Sequence, residues 1–329
     1  MSITRRQALL AAPCMLAGVT GAPGALAQAA PWASRPITLV LPSTAGGTSD
    51  AILRMLEPRL QELWRQPVVV DYKPGAGSLL GTEYVVKAKP DGHTLLLGFT
   101  DHAFMASLYP KARFNAVTDL ARVTTIASVP LVVLAKPSLK ADTLQDLIQL
   151  AKASRGKLNF SSAGMGTTQH LAGELFMSTA GVQMVHVPFK GGTEATNSLI
   201  GGQVDVMFQL VSSAAPHVKA GRLKALAIGA PRRSSALPDV PTSAEAGLPD
   251  FQTSIWYAFY APAATPPELV ARINADVNRV LAIPDVQARL QSMGLDPMRT
   301  ATPAEFENFY RAEVERWSKA VKSARIQLE

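Results

Sequence analysis

Two segments of the sequence place glycine and hydroxyl-bearing residues directly before a stretch with helical spacing. Residues 43–49 read Ser-Thr-Ala-Gly-Gly-Thr-Ser and precede Asp50, and residues 161–168 read Ser-Ser-Ala-Gly-Met-Gly-Thr-Thr. Glycine lets a backbone approach a ligand closely, and hydroxyl groups donate hydrogen bonds. Where such a loop opens a helix, the first N–H groups lack partners and carry partial positive charge. Each segment therefore predicts a site for a carboxylate or a phosphate.

A glycine- and serine-rich turn is also an ordinary connection between a strand and a helix, so one such loop alone would indicate little more than an N-cap. Two loops of the same design, one in each half of the chain, favour an anion held between two lobes. His170, near the start of the second helix, is expected to contact this loop or the cleft. The candidate ligand-binding residues of the two loops are Ser43, Thr44, Ala45, Gly46, Gly47, Asp50, Ser161, Ser162, Ala163, Gly164, Gly166 and Thr167.

The elements that must position these loops alternate along the chain. Strands are predicted at 37–41, 68–70, 94–99, 131–135, 158–160, 184–187, 204–208 and 223–228, and helices at 50–64, 79–89, 144–153, 169–179, 269–281 and 306–321. Thr265 with Glu268, and Thr302 with Glu305, have capping-box spacing and predict where the last two helices begin. The alternation predicts an α/β fold with mostly parallel sheets, in which ligands bind at the carboxyl ends of the strands.

The composition excludes several classes of protein. Of the 329 residues, 47% are hydrophobic and 17% are charged, which is typical of a globular chain and not of a disordered or collagen-like one. The net charge of +7 is spread without a long basic run, so nucleic-acid binding is not expected. The single cysteine, Cys14, lies in a segment that we expect to be removed. Thiol catalysis, disulfides and thiolate metal sites are therefore not expected either.

Residues 1–27 have the features of an export signal. Arg5 and Arg6 precede an apolar stretch of small residues, and Ala25-Leu-Ala27 gives the small-x-small pattern of a cleavage site. The paired arginines indicate a twin-arginine signal, although Ala8 stands where a larger hydrophobic residue is usual, so a Sec route stays open. The stretch is too short and too broken by Pro and Gly for a transmembrane anchor. We therefore predict a periplasmic protein.

Short motifs along the mature chain occur in an order typical of one family. They are Gly46-Gly47-x-x-Asp50, Lys73-Pro-Gly-Ala-Gly77, Ser161-Ser-Ala-Gly-x-Gly166, His186-Val-Pro-Phe-Lys-Gly191, Gly202-Gln-Val-Asp205, Leu237-Pro-Asp-Val-Pro-Thr242 and Ala261-Pro-Ala-Ala-Thr-Pro266. The set resembles the Bug (TctC-like) family, the periplasmic solute-binding receptors associated with tripartite tricarboxylate transporters. The resemblance covers essentially the whole mature chain. Each motif alone is weakly specific, whereas the ordered set is highly specific.

The resemblance implies a two-lobed, type II periplasmic-binding fold that closes on its solute, each lobe being a mostly parallel sheet flanked by helices. Domain 1 is expected to comprise residues 28–130 and 256–329, and domain 2 residues 131–255. The implied ligand is a small carboxylate, namely a dicarboxylate, a tricarboxylate, an acidic amino acid or an aromatic acid. The implied partner is the membrane permease of a tripartite tricarboxylate transporter. A monomer without cofactor, metal or catalytic residues is expected.

The family's second lobe adds two candidate residues, Asp205 and Gln209. Many members have Asp at the position of Gln209, where a carboxylate could pair with an ammonium group of the ligand. If Gln209 reaches the ligand, plain acids such as di- or tricarboxylates and aromatic acids are therefore favoured over amino acids. Members often have an aromatic residue at the position of Ser43, and its absence here implies less apolar contact or more room.

Two other functions are compatible with a cleft of this kind. A periplasmic enzyme acting on a small acid would use the same cleft, but the sequence offers no recognisable catalytic triad, and Gly75-Ala-Gly77 lacks the third glycine of a dinucleotide fingerprint because position 80 is leucine. A sensor subunit that presents its ligand to a kinase would have the same pocket and a different partner. Whether His102 or Lys190 lines the cleft stays open at this stage.

Overall fold

A computed structural model describes residues 32–324, so the predictions for the export signal and Cys14 lie outside the described residues. The strands are β1 (Ile37–Leu41), β2 (Val68–Tyr72), β3 (Thr94–Phe99), β4 (Leu120–Ala135), β5 (Asn159–Ser162), β6 (Val185–Pro188), β7 (Val206–Leu210), β8 (Lys224–Ile228), β9 (Ser254–Pro262) and β10 (Asp296–Pro297). The helices are α1 (Thr48–Trp64), α2 (Leu79–Val86), α3 (Asp101–Leu108), α4 (Leu144–Ser154), α5 (Thr168–Ala180), α6 (Gly192–Ile200), α7 (Val211–Lys219), α8 (Pro267–Leu281), α9 (Pro284–Ser292) and α10 (Pro303–Ala324).

The long strand β4 belongs to two sheets. As far as Pro130 it pairs antiparallel with β9, and from Leu131 onward it pairs antiparallel with β7 and β8. In the first sheet, β2, β1 and β3 are parallel, and β3 joins β9 antiparallel. In the second sheet, β7, β5 and β6 are parallel. The fold is therefore α/β with mixed sheets, parallel in the outer strands of each half and antiparallel where the halves meet.

The strands are buried on both faces, which decides where the apolar residues lie. Leu39 of β1 packs with α1 and α8 on one face of the first sheet, whereas the adjacent Val40 packs with α3 and α10 on the other. The buried residues of α1 recur at helical spacing because only one face of this helix contacts the sheet. Most residues of β4 and β9 are buried without alternation, and this is why the sequence predicted only the end of β4 and missed β9.

Of the two predicted helix caps, the structure contains the one at Thr302. At α10, the N–H of Glu305 donates to Thr302 Oγ1 (3.2 Å), while Glu305 Oε2 accepts from the N–H of Ala301 (2.9 Å). The predicted box at Thr265 is wrong. There α8 begins at Pro267 after an N-cap at Pro266, and the buried hydroxyl of Thr265 has no partner among the described residues.

Helix α5 packs on β5 at a glycine. A Cβ built on Gly173 would clash with the ring of Phe160, which is fully buried and contacts Phe208 at a centroid distance of 5.8 Å. Replacing glycine by alanine inside a helix usually stabilises by about 1 kcal/mol. Because helix and strand approach closely here, we expect alanine at this position to destabilise the protein instead.

We expect Gly173→Ala to lower the free energy of unfolding by about 1–3 kcal/mol because the overpacked ring must move. Urea unfolding of the variant measures the change. The double variant Phe160→Leu/Gly173→Ala is the control, because leucine leaves room for the added methyl group. Its loss of stability should be smaller than the sum of the losses in the two single variants. A Gly173→Ala protein as stable as the parent would contradict this packing.

Candidate functional site

A cavity of about 370 Å³ lies at the carboxyl ends of the parallel strands and is lined from both sheets. The first sheet contributes the segments after β1, β2 and β3, together with the start of β9, and the second contributes the loop after β5. The polar part of its wall comprises Ser43, Thr48, Ser49, Ser78, Asp101 and, from the second sheet, Thr167, Thr168 and Gln169. The apolar part comprises Phe99, Phe104, Met105, Leu108, Ile255 and the rings of Tyr109 and Tyr257.

Loop 1 (residues 43–50) is held closed by its own aspartate. Asp50 Oδ2 accepts from the N–H of Gly46 (2.8 Å), and Oδ1 accepts from the hydroxyl of Tyr72 (2.6 Å). These two hydrogen bonds, with the tyrosine's the larger effect, lower the pKa of the Asp50 carboxyl. Gly46 has a φ of +88°, which only glycine adopts without strain. Asp50 therefore shapes the loop and does not itself line the cavity.

The predicted residues of loop 1 differ in their placement. Ser43 lines the cavity, and its hydroxyl lies 3.2 Å from that of Ser49. Thr44, Ala45, Gly46 and Gly47 are exposed and lie outside the wall of the cavity. Thr48 and Ser49 belong to the predicted segment 43–49 without being individual candidates, and both lie in the first turn of α1 and line the cavity.

Loop 2 (residues 161–168) is folded around Gly164, which has a φ of +130°. The hydroxyl of Thr167 donates to the Gly164 carbonyl (2.8 Å), and the Gly164 N–H donates to Ser162 Oγ (3.1 Å). Gly166 and Thr167 line the cavity, as does the exposed Met165 between them and Gly164. The other predicted members of this loop, Ser161, Ser162, Ala163 and Gly164, lie behind the cavity wall, and the buried Ser161 hydroxyl donates to Ala195 O (3.3 Å).

Two stacked histidines lie beneath loop 2. The rings of His170 and His186 have centroids 3.7 Å apart and an interplanar angle of 10°. His170 Nδ1 accepts from the N–H of Gly166 (3.1 Å), and His186 Nε2 lies 2.6 Å from Ser162 Oγ. Burial, and to a smaller extent the charge of His170, lowers the pKa of His186 to about 4. His170 thus positions loop 2, as its place at the helix start predicted, without lining the cavity.

The structure places Asp205 and Gln209 away from the cavity wall. Asp205 precedes β7, at the amino end of the strands, where it pairs with Lys136 (2.7 Å) and accepts from the N–H of Asn159 (3.0 Å). Gln209 is buried and turns towards α6, where Nε2 donates to Thr196 Oγ1 (3.0 Å). Asp205 therefore lies at the opposite edge of the sheet from the cavity. Gln209 therefore does not line the cavity.

The site residues predicted from the sequence did not include the turn before α2 or Asp101, which begins α3. Gly75, Ala76, Gly77 and Ser78 all have positive φ values, of 132°, 46°, 59° and 73°. Gly77 and Ser78 line the cavity, and the Ser78 hydroxyl donates to Asp101 Oδ2 (2.8 Å). The available signal was strand direction, because β2 and β3 run parallel to β1 and must end at the same edge.

The two residues left open by the sequence lie outside the cavity wall. His102 is fully buried behind Asp101, with Nδ1 2.8 Å from Asp101 Oδ1 and Nε2 2.9 Å from Thr82 Oγ1. Lys190 is exposed, and its N–H donates to Glu194. Within residues 32–324, no group of three or more metal-ligating side chains comes together, and no helix is long and apolar enough to cross a membrane.

Comparison with known proteins decides the family. The model of the TctC family, described as the tripartite tricarboxylate transporter family receptor, matches residues 52–326. The chain belongs to this family. BugT of Bordetella pertussis is 34% identical over 331 residues, which cover 100% of both chains. A protein from Pseudomonas sp. strain P51 is 37% identical over 294 residues, 89% of this chain and 87% of its own length.

Solved structures of TctC relatives share the fold. An R. palustris protein with adipate is 32% identical with a TM-score of 0.76, covering 90% of this chain and 99% of its own. MatC from Rhodopseudomonas palustris, with bound malate, is 32% identical with a TM-score of 0.73, covering 88% and 99%. The family and the periplasmic-binding α/β fold predicted from the motif order are confirmed, and the chain belongs to a family of solute-binding receptors.

The histidine stack predicts a pH-dependent stability. Unfolded His186 takes up a proton near pH 6.5, whereas in the folded protein it does so only near pH 4. The unfolded state therefore binds more protons in this window, and stability is lost as the pH falls from 6.5 to 4, by roughly 3 kcal/mol in total. Denaturant unfolding at a series of pH values measures this loss.

His186→Asn is expected to flatten the decline across that window, although it also loses the ring stacking at every pH. His217→Asn in α7, outside loop 2, controls for the loss of a histidine. Parallel stability curves for the parent and His186→Asn would show that His186 is not held neutral.

Proposed function

We propose that this chain is a periplasmic receptor that captures a small carboxylate between its two lobes and delivers it to the permease of a tripartite tricarboxylate transporter. One observation carries the proposal: the first turns of α1 and α5, each preceded by a hydroxyl-rich loop, line one cavity. Two helix N-termini that face the same space favour an anion there. Relatives solved with adipate and malate support a carboxylate as the solute.

The donors proposed to hold the carboxylate are hydroxyls and helix N–H groups. Thr48 and Ser49 supply them at α1, and Thr168 and Gln169 supply them at α5, where the Thr167 hydroxyl is already bonded to the Gly164 carbonyl. The Gly46 and Gly166 N–H groups are already bonded to Asp50 and His170, so they shape the loops and leave the solute to their neighbours. A cavity of about 370 Å³ has the volume of roughly a dozen water molecules, which suits a small acid with some bridging water.

The apolar wall is proposed to hold the hydrocarbon part of the solute. Phe99 and Tyr257 meet edge to face with centroids 5.8 Å apart, and Phe104 and Leu108 extend this surface. Because such a wall offers area rather than directed bonds, it favours a solute with a methylene chain or a ring over a compact tricarboxylate.

Closure of the lobes is proposed to occur where the chain passes between the sheets. Strand β4 changes partners between Pro130 and Leu131. Close by, the N–H of Thr253 donates to Gly229 O (2.7 Å), and its carbonyl accepts from Leu131 (3.0 Å). These two crossings support a hinge between domain 1, residues 28–130 and 256–329, and domain 2, residues 131–255. Export by residues 1–27 and action as a monomer complete the proposal.

We propose binding without catalysis. Among the described residues 32–324, those that line the cavity carry hydroxyls and one carboxylate, and they include no histidine, lysine or cysteine that would act as a base or nucleophile beside a bound acid. Recovery of the solute unchanged after prolonged incubation is the expected result, and chromatography of the mixture measures it. Turnover would favour the enzyme alternative.

Two glycines with nearly equal φ angles test whether loop 2 takes part in binding. Gly166 lines the cavity with a φ of +72°, and Gly202 lies outside it with a φ of +73° and open space around the added Cβ. Valine at either position imposes left-handed strain of about 1–2 kcal/mol. We expect Gly166→Val to weaken carboxylate binding at least tenfold because loop 2 must shift, while Gly202→Val binds as the parent does.

A thermal-shift screen of the exported protein against dicarboxylates, tricarboxylates, amino acids and aromatic acids identifies the ligand for that comparison. A solute at a hundred times its Kd stabilises by roughly 2.7 kcal/mol, which is a readable shift. Equal affinity in both valine variants would remove loop 2 from the site. A shift produced only by uncharged solutes would contradict the carboxylate.

A further inference from the structure

The charge on the cavity wall does not match a solute that is only an anion. Among the lining residues, all within the described chain, Asp101 is the single carboxylate, and none is a lysine, arginine or histidine; the buried His102 contacts Asp101 from behind the wall. Helix N-termini favour one carboxylate of the solute, as the proposed function requires. A second negative group in the same cavity would lie near Asp101 without a cation between them.

Two residues contact the Asp101 carboxylate, and a third residue supports both of them. Asp101 Oδ2 accepts from the Ser78 hydroxyl (2.8 Å), and Oδ1 lies 2.8 Å from Nδ1 of the buried His102. Thr82 of α2 supports both, since its hydroxyl donates to Ser78 O (2.8 Å) and lies 2.9 Å from His102 Nε2. The side chain keeps 24% exposure, on the cavity side. A carboxylate fixed in this way cannot turn out to solvent when a solute enters.

The carboxylate retains the capacity to accept from a solute. Each oxygen has two lone pairs, of which Oδ2 uses one to accept from Ser78, and the His102 contact occupies at most one on Oδ1, so both oxygens can still accept from a solute. Tyr257 lines the same cavity as Asp101 and Thr48 of α1. Burial is the main reason why the pKa of Tyr257 is raised to about 12, and the charge of Asp101 adds to the effect. Asp101 and the first turn of α1 are therefore two ends of one polar surface.

We propose that Asp101 binds an ammonium group of the solute, so that the receptor selects amino acids over plain acids of the same length. This inference rests on the proposed function, in which α1 and α5 hold the solute's carboxylate. Ammonium donates up to three hydrogen bonds and carries the charge that the cavity wall lacks, and the rings of Phe99 and Tyr257 beside it suit a cation. The family resemblance assigned ammonium recognition to the position of Gln209, which here turns to α6.

A purely structural role for Asp101 makes a different prediction. Its carboxylate lies in the first turn of α3 and braces the strained turn at Ser78, so its removal would also loosen the protein. In that case Asp101→Asn would lower the affinity for every solute by the same factor. The ratio of affinities between matched solutes, rather than affinity itself, therefore separates recognition from support.

Matched sets of acids with four, five and six carbons test the proposal. Each set contains the monocarboxylate, the dicarboxylate, the 2-amino acid and the terminal amino acid, such as hexanoate, adipate, 2-aminohexanoate and 6-aminohexanoate. Titration calorimetry is carried out on the parent, on Asp101→Asn and on Glu83→Gln. Glu83→Gln is the matched control because it also removes one negative charge, on the adjacent α2. In the parent, Glu83 pairs with Lys87 outside the cavity.

In the parent and in Glu83→Gln we expect one of the amino acids to bind at least tenfold more tightly than the dicarboxylate of equal length. In Asp101→Asn that ratio should fall to about one or reverse, with the dicarboxylate gaining affinity. Dicarboxylates that bind the parent as tightly as the amino acids, or a ratio unchanged by Asp101→Asn, would overturn this inference and leave the carboxylate receptor intact. Binding of none of these acids would overturn both.

Discussion

The direction of the parallel strands is the constraint on which the site depends. β1, β2 and β3 all end at one edge of the first sheet, and β5 ends beside them in the second sheet because β4 runs through both. Every segment that follows one of these strands must then turn at the cavity. Four helix starts gather there without any long-range motif in the sequence, and reversing one strand would remove its helix from the site.

The parts of the site that were predicted are those encoded locally. Loops 1 and 2 were recognisable because glycine and hydroxyl residues stand beside an apolar stretch, and the capping role of Thr167 follows from the same residues. Asp101 and the turn at Ser78 carry no such local signature. Their presence at the cavity depends on strand order, which the sequence alone did not supply. Asp205 was assigned by resemblance, and its place before β7 rather than after it moves it to the far edge.

Many hydrogen-bonding groups of loops 1 and 2 are bonded within the same loop. Asp50 holds Gly46 and Thr167 holds Gly164, so the backbone shape of each loop is set before a solute arrives. A preformed loop costs less ordering entropy on binding than a mobile one. Specificity then falls to the residues that complete the wall, and these are the aromatic side chains and Asp101 of the first sheet.

Among residues 32–324, the order of strands leaves β2 and β6 at the two ends of the combined sheet, each with one edge that pairs with no other described strand. Both edges are short, of five and four residues, yet each exposes a β-branched side chain, Val69 at 52% and Val185 at 54%. The ion pair of Asp71 with Lys73 charges the end of one edge, and Pro188 removes a donor from the other. Charge and proline at open edges oppose strand addition by another molecule, so the fold contains its own protection against edge-to-edge aggregation.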